Sequence, residues 1–399
     1  MTNLSDTWIC VPTYWTESAE TISGGPSIYD HPTELDKNGT LARMLDSFTR
    51  LSGSFNVLII ATDTNNSVSQ PVHRKVSQIC QPFTNHFPIY LISKWNLKRI
   101  NCHLKSQFLS LDGYGNVRNV QLVAPYVLGS KLVVGIDDDE IIDNPDYLIK
   151  VLNHFQDTKA EGVIGGLSGP YADEKGQCYI KDLDIPDKET NRFRIKKHVI
   201  NEAIKILVSA CSSANIVKSN MAFGGNMCIP RSTIETTCFD PFIRRGEDID
   251  FVMNAKMNGI DFYFDADLKI IHLPPDKPNE NLEENKERVY ADIERFIYMN
   301  EKLSYFEKTK NIKLNQDFFH PYPGVYLDQS KQLQTDAVQY LDEEFSGIES
   351  ASALVNDITF KAGANARKFF EFSSQWRPRL QECAASMPFK RALMKCRIE

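Results

Sequence analysis

A short apolar run that passes directly into a group of acids is the feature that most limits how this chain can fold. Leu132–Ile136 has the sequence LVVGI and is followed at once by Asp137, Asp138, Asp139 and Glu140. A continuous apolar run of this length is typical of a fully buried parallel strand. Because open α/β sheets bind their ligands beyond the carboxyl ends of the strands, we expect these acids to lie in the ligand crevice.

The crowding of the four acids itself predicts a cation. Neighbouring carboxylates repel one another and raise each other's pKa unless a positive charge neutralises them. Oxygen ligands of this kind suit Mg²⁺ or Mn²⁺, which proteins often share with a substrate phosphate. The competing interpretation is a solvated acidic turn before a helix that begins near Asn144 and Pro145.

Strand and helix patterns alternate through the first half of the chain. Apolar runs predict strands at Trp8–Pro12, Phe55–Ala61, Pro88–Ile92, Leu132–Ile136 and Gly162–Leu167. Helical spacing predicts helices at Leu41–Leu51, Val72–Cys80, Val117–Leu128 and Tyr147–Phe155. This alternation indicates a doubly wound α/β sheet with right-handed crossovers.

The second half changes character after Pro274 and Pro275. Before that point we expect a helix at Val199–Ser209, a glycine turn that enters a strand at Phe223–Ile229, a helix that ends at Met257, and strands at Phe262–Phe264 and Leu268–His272. After it, Leu282–Lys310 is a long charged helix, Asp317–Tyr326 an aromatic and proline-rich loop, and the remainder helical. We therefore predict two regions, 1–275 and 276–399, the second mainly α-helical.

Bulk composition excludes several functional classes. The chain has 399 residues, a net charge of −7 and a pI of about 5.7, which argues against a nucleic-acid partner. Its nine cysteines include no Cys-x-x-Cys pair, so neither a zinc site nor a disulfide framework is indicated. We find no signal peptide and no apolar run long enough to span a bilayer, and we expect a cytoplasmic protein. The basic, amphipathic segment Met387–Arg397 leaves peripheral contact with a membrane open.

Four features occur in a particular order: the glycine-rich stretch before Arg118, the acid triplet 137–139, the Gly246-Glu247-Asp248 turn, and His272 at the end of a late strand. In this order they resemble the GT-A fold glycosyltransferases that use nucleotide sugars, most of all the inverting family 2. The resemblance covers roughly residues 7–275. It implies a Rossmann-like, mixed and mostly parallel sheet flanked by helices, to which the helical C-terminal extension is added.

The resemblance also implies a donor site. A nucleoside diphosphate sugar would be the donor, with Mn²⁺ or Mg²⁺ as the cofactor that neutralises the leaving diphosphate. The implied metal ligands are Asp137, Asp139 and His272. The implied contacts to the nucleotide are Pro12, Thr13, Asp63, Arg118, Asp137 and Asp138. A lone histidine at a strand end is otherwise most often a packed or solvated side chain.

An inverting transfer to a hydroxyl acceptor also needs a base. The resemblance assigns that role to Asp248 and the positioning of the acceptor to Glu247. The competing interpretation is structural, because Glu247, Asp248 and Asp250 lie in the first turn of a predicted helix, where the helix dipole favours acids anyway.

The expected function is a metal-dependent hexosyltransferase that acts on a carbohydrate or another hydroxyl acceptor, with inversion. A retaining GT-A enzyme similar to the glycosylglycerate synthases is the alternative, and it would remove the base role from Asp248. A sugar nucleotidyltransferase is disfavoured, because Pro12–Trp15 contains no glycine-rich nucleotide loop. A non-catalytic module that binds carbohydrate or a divalent ion remains open. The sequence does not indicate the oligomeric state.

Overall fold

The computed structural model describes residues 4–17, 29, 32–64, 66–104, 108–156, 163–178, 188–275, 282–345 and 350–399. The strands are β1 (Thr7–Thr16), β2 (Thr33–Glu34), β3 (Asn56–Asp63), β4 (Ile89–Ser93), β5 (Leu132–Gly135), β6 (Glu140–Ile141), β7 (Gly166–Ser168), β8 (Tyr171–Ala172), β9 (Val217–Ser219), β10 (Met227–Pro230), β11 (Phe262–Phe264) and β12 (Ile270–His272).

The helices of the first 275 residues are α1 (Leu41–Phe48), α2 (Ser69–Cys80), α3 (Lys94–Asn101), α4 (Tyr114–Val127), α5 (Tyr147–Gln156), α6 (Lys196–Cys211), α7 (Arg231–Ile234) and α8 (Glu247–Met257). They are followed by α9 (Leu282–Lys310), α10 (Gly324–Leu327), α11 (Ser330–Glu344), α12 (Ala351–Ser374), α13 (Trp376–Ala385) and α14 (Met387–Met394). Short 3₁₀ helices lie at Leu4–Asp6, Asn66–Val68, Gln81–Phe83 and Gln316–Phe319.

Within the described residues, nine strands form one sheet in the order β4-β3-β1-β5-β10-β7-β11-β9, with β2 paired to β1. The strands β4, β3, β1 and β5 run parallel, and β7 runs parallel to β11. The strand β10 is antiparallel to both of its neighbours. A second, three-stranded sheet has the order β6-β12-β8. The predicted mixed, mostly parallel sheet flanked by helices is confirmed.

Two hydrophobic cores cover the two faces of the large sheet. One contains side chains of α1, α2 and α5, for example Met44, Val72 and Leu148, packed on Ile9 and Ile59. The other contains side chains of α3 and α4 and of the C-terminal helices α13 and α14. Because both faces are covered, β1, β3 and β5 are apolar along most of their length.

The C-terminal helices form part of the main body of the protein. In the core on the second face of the sheet, Trp376 and Leu393 lie in the same cluster as Trp8. A third core joins α6 and α8 to α9–α12. The helical C-terminal region is thus confirmed, while its separation as a domain at residue 275 stays a prediction.

The end of the chain covers the edge of the large sheet. The backbone amide of Leu91 in β4 donates to the carbonyl of Cys396 at 2.8 Å, and the amide of Ile398 donates to the carbonyl of Ile89 at 2.8 Å. This pairing satisfies an edge strand that would otherwise be open. None of the helices in the described part of the chain has both the length and the apolarity to cross a bilayer.

Most predicted elements lie close to the observed ones. The bounds of β11 and α9 are those predicted, whereas β1 extends four residues beyond Pro12 and α4 begins at Tyr114. The helix α3 was not predicted, because Lys94–Asn101 is polar and its apolar positions are few. The predicted loop Asp317–Tyr326 contains part of a 3₁₀ helix and the start of α10. Gly162, the first residue of a predicted strand, lies outside the described residues.

Candidate active site

The acid group lies at the carboxyl end of β5, as its position after an apolar strand predicted. The next strand, β6, pairs antiparallel with β12 so that Glu140 stands opposite His272. The amide of Leu273 also donates to the carbonyl of Asp139 at 2.9 Å. The small sheet therefore brings the late strand that carries His272 against the acids.

Asp139 and His272 form one pair within the group. The Nε2 atom of His272 lies 3.3 Å from Oδ2 of Asp139, which is mostly buried. Burial lowers the pKa of His272, but the hydrogen bond and negative charge of Asp139 outweigh it, and the pKa is raised. The imidazole stacks on the ring of Tyr171 at a centroid distance of 5.2 Å.

Arg118 connects the acid group to the start of α8. Its Nη2 lies 2.8 Å from Oδ1 of Asp137, and its Nε lies 3.2 Å from Oε1 of Glu247. The guanidinium is buried, and a Cβ at Gly224 would come within 2.6 Å of Nη2. A side chain at position 224 would therefore make the guanidinium shift from its place under the 223–226 turn.

Asp138 is held by the end of β1. The hydroxyl of Thr13 donates to Oδ2 of Asp138 at 2.6 Å and accepts from Nε1 of the buried Trp15 at 3.0 Å. Burial, followed by the charge of Asp139, raises the pKa of Asp138 to about 8. Thr13 therefore contacts an acid of the group, while its predicted contact with the nucleotide stays a prediction.

Glu140 is the most deeply buried of the four acids, and it was given no role from the sequence. Its Oε2 accepts a hydrogen bond from the backbone amide of Asp137 at 2.7 Å. Burial raises its pKa well above the usual range, and the charges of Asp137 and Asp139 add to that shift. A Cβ at Gly225 would lie 2.2 Å from its Oε1. Glu140 thus holds the backbone of the acid turn in place. The only feature of the sequence that indicates this role is that a fourth acid follows the triplet.

The two acids that begin α8 differ in their surroundings. Glu247 is buried against Arg118; burial raises its pKa to about 7, which the charge of Arg118 opposes. Asp248 is only half-buried. Its Oδ2 accepts from the amide of Gly224 at 3.1 Å, and its Oδ1 accepts from the amide of Ile249 at 2.7 Å. Asp248 is therefore the acid of the pair that keeps access to solvent.

Asp250, the third acid of that first turn, has a structural partner. It contacts the ammonium group of Lys302 in α9, and that group also lies 3.0 Å from Oδ2 of Asp240. The side chains of Lys302, Asp240 and Asp250 are all fully buried. The hydroxyl of Tyr298 donates to Asp240 at 2.6 Å. The helix dipole alone therefore does not explain the acid at position 250, because Lys302, more than 50 positions away, also holds it.

Asp63 lies at the same edge of the sheet but apart from the acid group. Burial raises its pKa, against the opposing effects of Ser69 and Lys94. Lys94 Nζ donates to the carbonyl of Asp63 at 2.9 Å and lies 2.7 Å from Oδ1 of Asp112. Pro12 is buried in β1 and pairs with Ile60 of β3. It lies two residues after Cys10, the last residue of β1 that pairs with β5.

Two groups of residues near these strand ends were missed from the sequence. Lys94 directly follows β4, so the rule that placed the acids after β5 would have found it. The rings of Tyr14, Tyr29 and Tyr114 pack together, with Tyr14 stacked on Tyr29 at 4.3 Å and on the edge of Tyr114 at 5.3 Å. Tyr29 is separated from the other two along the chain, and no sequence pattern predicts that contact.

The residues present fit a divalent ion in part. Across the described ranges, no three His, Cys, Asp or Glu side chains are arranged as a metal-binding group. However, two neighbouring ligands of an octahedral ion, each about 2.1 Å from it, lie about 3 Å apart. The 3.3 Å separation of Asp139 Oδ2 and His272 Nε2 is close to that spacing. Two protein ligands with substrate phosphate and water completing the shell are the usual arrangement for Mg²⁺.

No protein-family profile matches this sequence, and no curated protein matches it. Among solved structures, the chain is similar to the mannosyltransferase PcManGT of Pyrobaculum calidifontis in complex with GDP-Man and Mn²⁺, at 11% identity and a TM-score of 0.41, over 99% of this chain and 87% of that one. It is also similar to a mycobacterial protein, at 12% identity and a TM-score of 0.37, over 72% of this chain and 74% of that one. These TM-scores are too low for either likeness to indicate a function.

Proposed function

We propose that this protein is a GT-A glycosyltransferase that transfers a hexose from a nucleoside diphosphate sugar to a hydroxyl group, with a divalent ion and with inversion. The observation that carries the proposal is the bridge made by Arg118 between Asp137 and Glu247, beside the Asp139–His272 pair. It brings the acid group that follows β5 and the acid turn that begins α8, from distant parts of the chain, to one guanidinium.

On the donor side, Asp139 and His272 would hold the ion. Mn²⁺ or Mg²⁺, when bound, supplies positive charge to the departing diphosphate. Asp137, paired with Arg118, would contact the ion or the ribose, and Arg118 would place a fixed positive charge beside the phosphates. Burial of Arg118 strengthens that interaction, since the surrounding dielectric is low.

The nucleoside would lie over the ends of β1 and β3. The proposed contacts are Pro12, Thr13 and Asp63, with Asp138 oriented by the Thr13 hydroxyl. The buried carboxyl of Asp63 can accept a hydrogen bond from a base N–H, and Lys94 limits the charge there. Tyr14, which stacks on the buried ring of Tyr29, is only half-buried, and an aromatic ring of this kind can pack against a base or a sugar.

On the acceptor side, Asp248 would accept the proton of the attacking hydroxyl. Its carboxylate is partly exposed, and the hydrogen bond from the Gly224 amide holds it in place. Glu247, tied to Arg118, would position the acceptor and not take the proton. A retaining transferase is the second candidate, and it would leave Asp248 without a role as base.

The proposal is tested by a thermal-shift panel of UDP, GDP and TDP and their sugars, each with and without Mn²⁺. Stabilisation that requires both the ion and one nucleotide is the expected result. The variant Asp139→Ala should lose that shift. An exposed control, Asp146→Ala, should keep it. If Asp139→Ala binds ion and nucleotide as the wild type does, the donor site is assigned to the wrong residues.

The stereochemistry is tested separately by NMR of the first product formed. An α-linked donor should give a β-linked product. An α-linked product would establish retention and remove the base role from Asp248, while leaving the donor site intact. A negative result in the thermal-shift panel and a negative result in the NMR measurement therefore reject different parts of the proposal.

A further inference from the structure

Two stretches of the chain carry positive charge without any acid. Residues 64–111 and 383–398 contain six and four Lys or Arg residues and no Asp or Glu, although acids outnumber these cations by 52 to 45 in the whole chain. The first stretch includes α2 and α3, and the second includes α14. The net charge of −7 therefore does not describe these two stretches, which are both positive.

The fold brings α3 and α14 side by side. Near the start of α3, Nδ2 of Asn96 lies 3.8 Å from Sγ of Cys396, which follows α14. Beyond the other end of α3, the carbonyl of His103 accepts a hydrogen bond at 3.2 Å from the hydroxyl of Ser386, the N-cap of α14. Buried apolar side chains of both helices belong to one core cluster. The two helices therefore pack against each other in antiparallel directions, and their charges form one surface.

Cations lie on the outer side of this helix pair. Lys98 and Arg99 of α3 are exposed, as are Arg391 of α14 and Lys395 directly after it. With the acids that the structure describes, none of these four cations makes an ion pair. Like charges repel one another when no acid lies between them, so this surface favours contact with an anionic partner.

Large apolar side chains are exposed among these cations. Trp95 is 45% exposed, and Met387 and Met394 are 55% and 57% exposed. Trp95 lies one turn before Lys98 on α3, and Arg391 lies one turn from each methionine on α14. Trp and other apolar residues beside Lys and Arg are typical of helices that lie in the plane of a membrane interface. A nucleic acid would pair with the cations but would give the methionines no partner.

We propose that the outer side of α3 and α14 binds a membrane surface that contains anionic lipids. The cations lie at the level of the headgroups, and Trp95, Met387 and Met394 insert between them. Charge and apolar insertion act together here, as stable attachment to a membrane surface requires. The inference goes beyond the proposed transfer reaction, because this surface needs neither an ion nor a nucleotide.

Tryptophan fluorescence measures the contact directly, because Trp8, Trp15 and Trp376 are buried and Trp95 is the fourth tryptophan of the chain. The probes are vesicles of phosphatidylcholine alone and of phosphatidylcholine with an equal part of phosphatidylserine, in EDTA. With the mixed vesicles, the emission should move to shorter wavelength, and brominated acyl chains should quench it. Phosphatidylcholine alone should leave the emission unchanged. Trp95→Phe should remove the signal and keep binding in co-sedimentation.

A matched pair of double variants tests the charge. Lys98→Gln with Arg391→Gln removes two exposed cations from the surface, and Arg50→Gln with Lys331→Gln removes two exposed cations from other parts of the protein. Arg50 follows α1, which covers the opposite face of the large sheet, and Lys331 lies on α11. Co-sedimentation with the mixed vesicles should weaken by about tenfold or more in the first variant and stay unchanged in the second.

Several outcomes would overturn the inference. The wild type would ignore the mixed vesicles, bind both kinds of vesicle equally, or bind with no change in tryptophan emission, or the two double variants would bind equally well. Binding to a DNA duplex without binding to vesicles would identify a nucleic-acid surface and would overturn it as well. The metal-dependent shift with nucleotide should persist in the first double variant, so this test and that of the proposed function give separate answers.

Discussion

The ammonium group of Lys302 in α9 contacts the carboxylate of Asp250 in the first turn of α8, although the two residues lie 52 positions apart in the chain. The same ammonium is 3.0 Å from Asp240, and all three side chains are fully buried. Burial raises the pKa of Asp250 to about 6, against the opposing charge of Lys302. The helix that begins with Glu247 and Asp248 is thus anchored by a residue of the C-terminal region.

Replacing Lys302 with methionine should therefore destabilise the protein. The substitution leaves Asp240 and Asp250 buried without their cation, which typically costs about 3–5 kcal/mol. The change is read from the midpoint of urea unfolding. Lys361→Met, at an exposed ion pair with Asp357 on α12, is the control and should leave the midpoint unchanged. A Lys302→Met protein as stable as the wild type would show that the buried group does not anchor α8.

Asp248→Asn should separate transfer from donor binding. The amide oxygen of asparagine can still accept the hydrogen bond from Gly224, so α8 should keep its place. A base that is removed typically costs on the order of 10²–10⁴ in rate. We expect transfer to fall by that factor while the metal-dependent thermal shift with nucleotide persists. Full transfer by this variant would rule out Asp248 as the base.

Gly225→Ala should disturb the acid group through Glu140. The added Cβ would meet both carboxylate oxygens of Glu140, at 2.2 and 2.3 Å, and Glu140 holds the amide of Asp137. Because Glu140 is buried, it has little room to move, and a loss of about 1–3 kcal/mol is expected from overpacking. Gly363→Ala is the matched control.

Gly363 lies inside α12 with nothing within 4 Å of the added Cβ. Alanine there should stabilise the protein by up to about 1 kcal/mol, because alanine is the better helix former. Urea unfolding of both variants makes the comparison. If the two glycines responded alike, the contact with Glu140 would be irrelevant to stability.

The metal-free protein should lose stability as the pH rises from 5.5 to 8. Burial raises the pKa of Asp138 to about 8 and of Glu247 to about 7, so the folded state holds these protons more tightly than the unfolded chain does. A raised carboxyl pKa stabilises the fold below the unfolded value, and that contribution is lost as the pH passes the folded value. The raised pKa of His272 acts in the same direction.

The measurement is the urea midpoint at several pH values in EDTA. Asp138→Asn should flatten part of the slope, since it removes one of the titrating groups. Mn²⁺ should stabilise the protein more at pH 8 than at pH 6, because the ion binds deprotonated ligands. A stability that rises with pH in EDTA would contradict the crowding of these carboxyls.

Local patterns in the sequence predicted most of the framework. The predicted bounds of β11 and the approximate bounds of α9 agree with the observed ones, and the run before Asp137 placed an acid group at a strand end. These features are local, because a buried strand or an amphipathic helix is defined by residues within a few positions of one another. The helix α3 was missed because its apolar positions are few, although a capping box between Ser93 and Asn96 marks its start.

What the sequence by itself determined is therefore the kind of elements and which residues stand at their ends. Only the tertiary structure decided the partners: Arg118 with Asp137 and Glu247, and Lys302 with Asp250. Ion pairs and hydrogen bonds between distant residues leave no periodic trace in the chain, since a charged side chain is compatible with many partners. The packing of helices on the sheet selects one of them, because a buried charge is costly unless an opposite charge is brought to it.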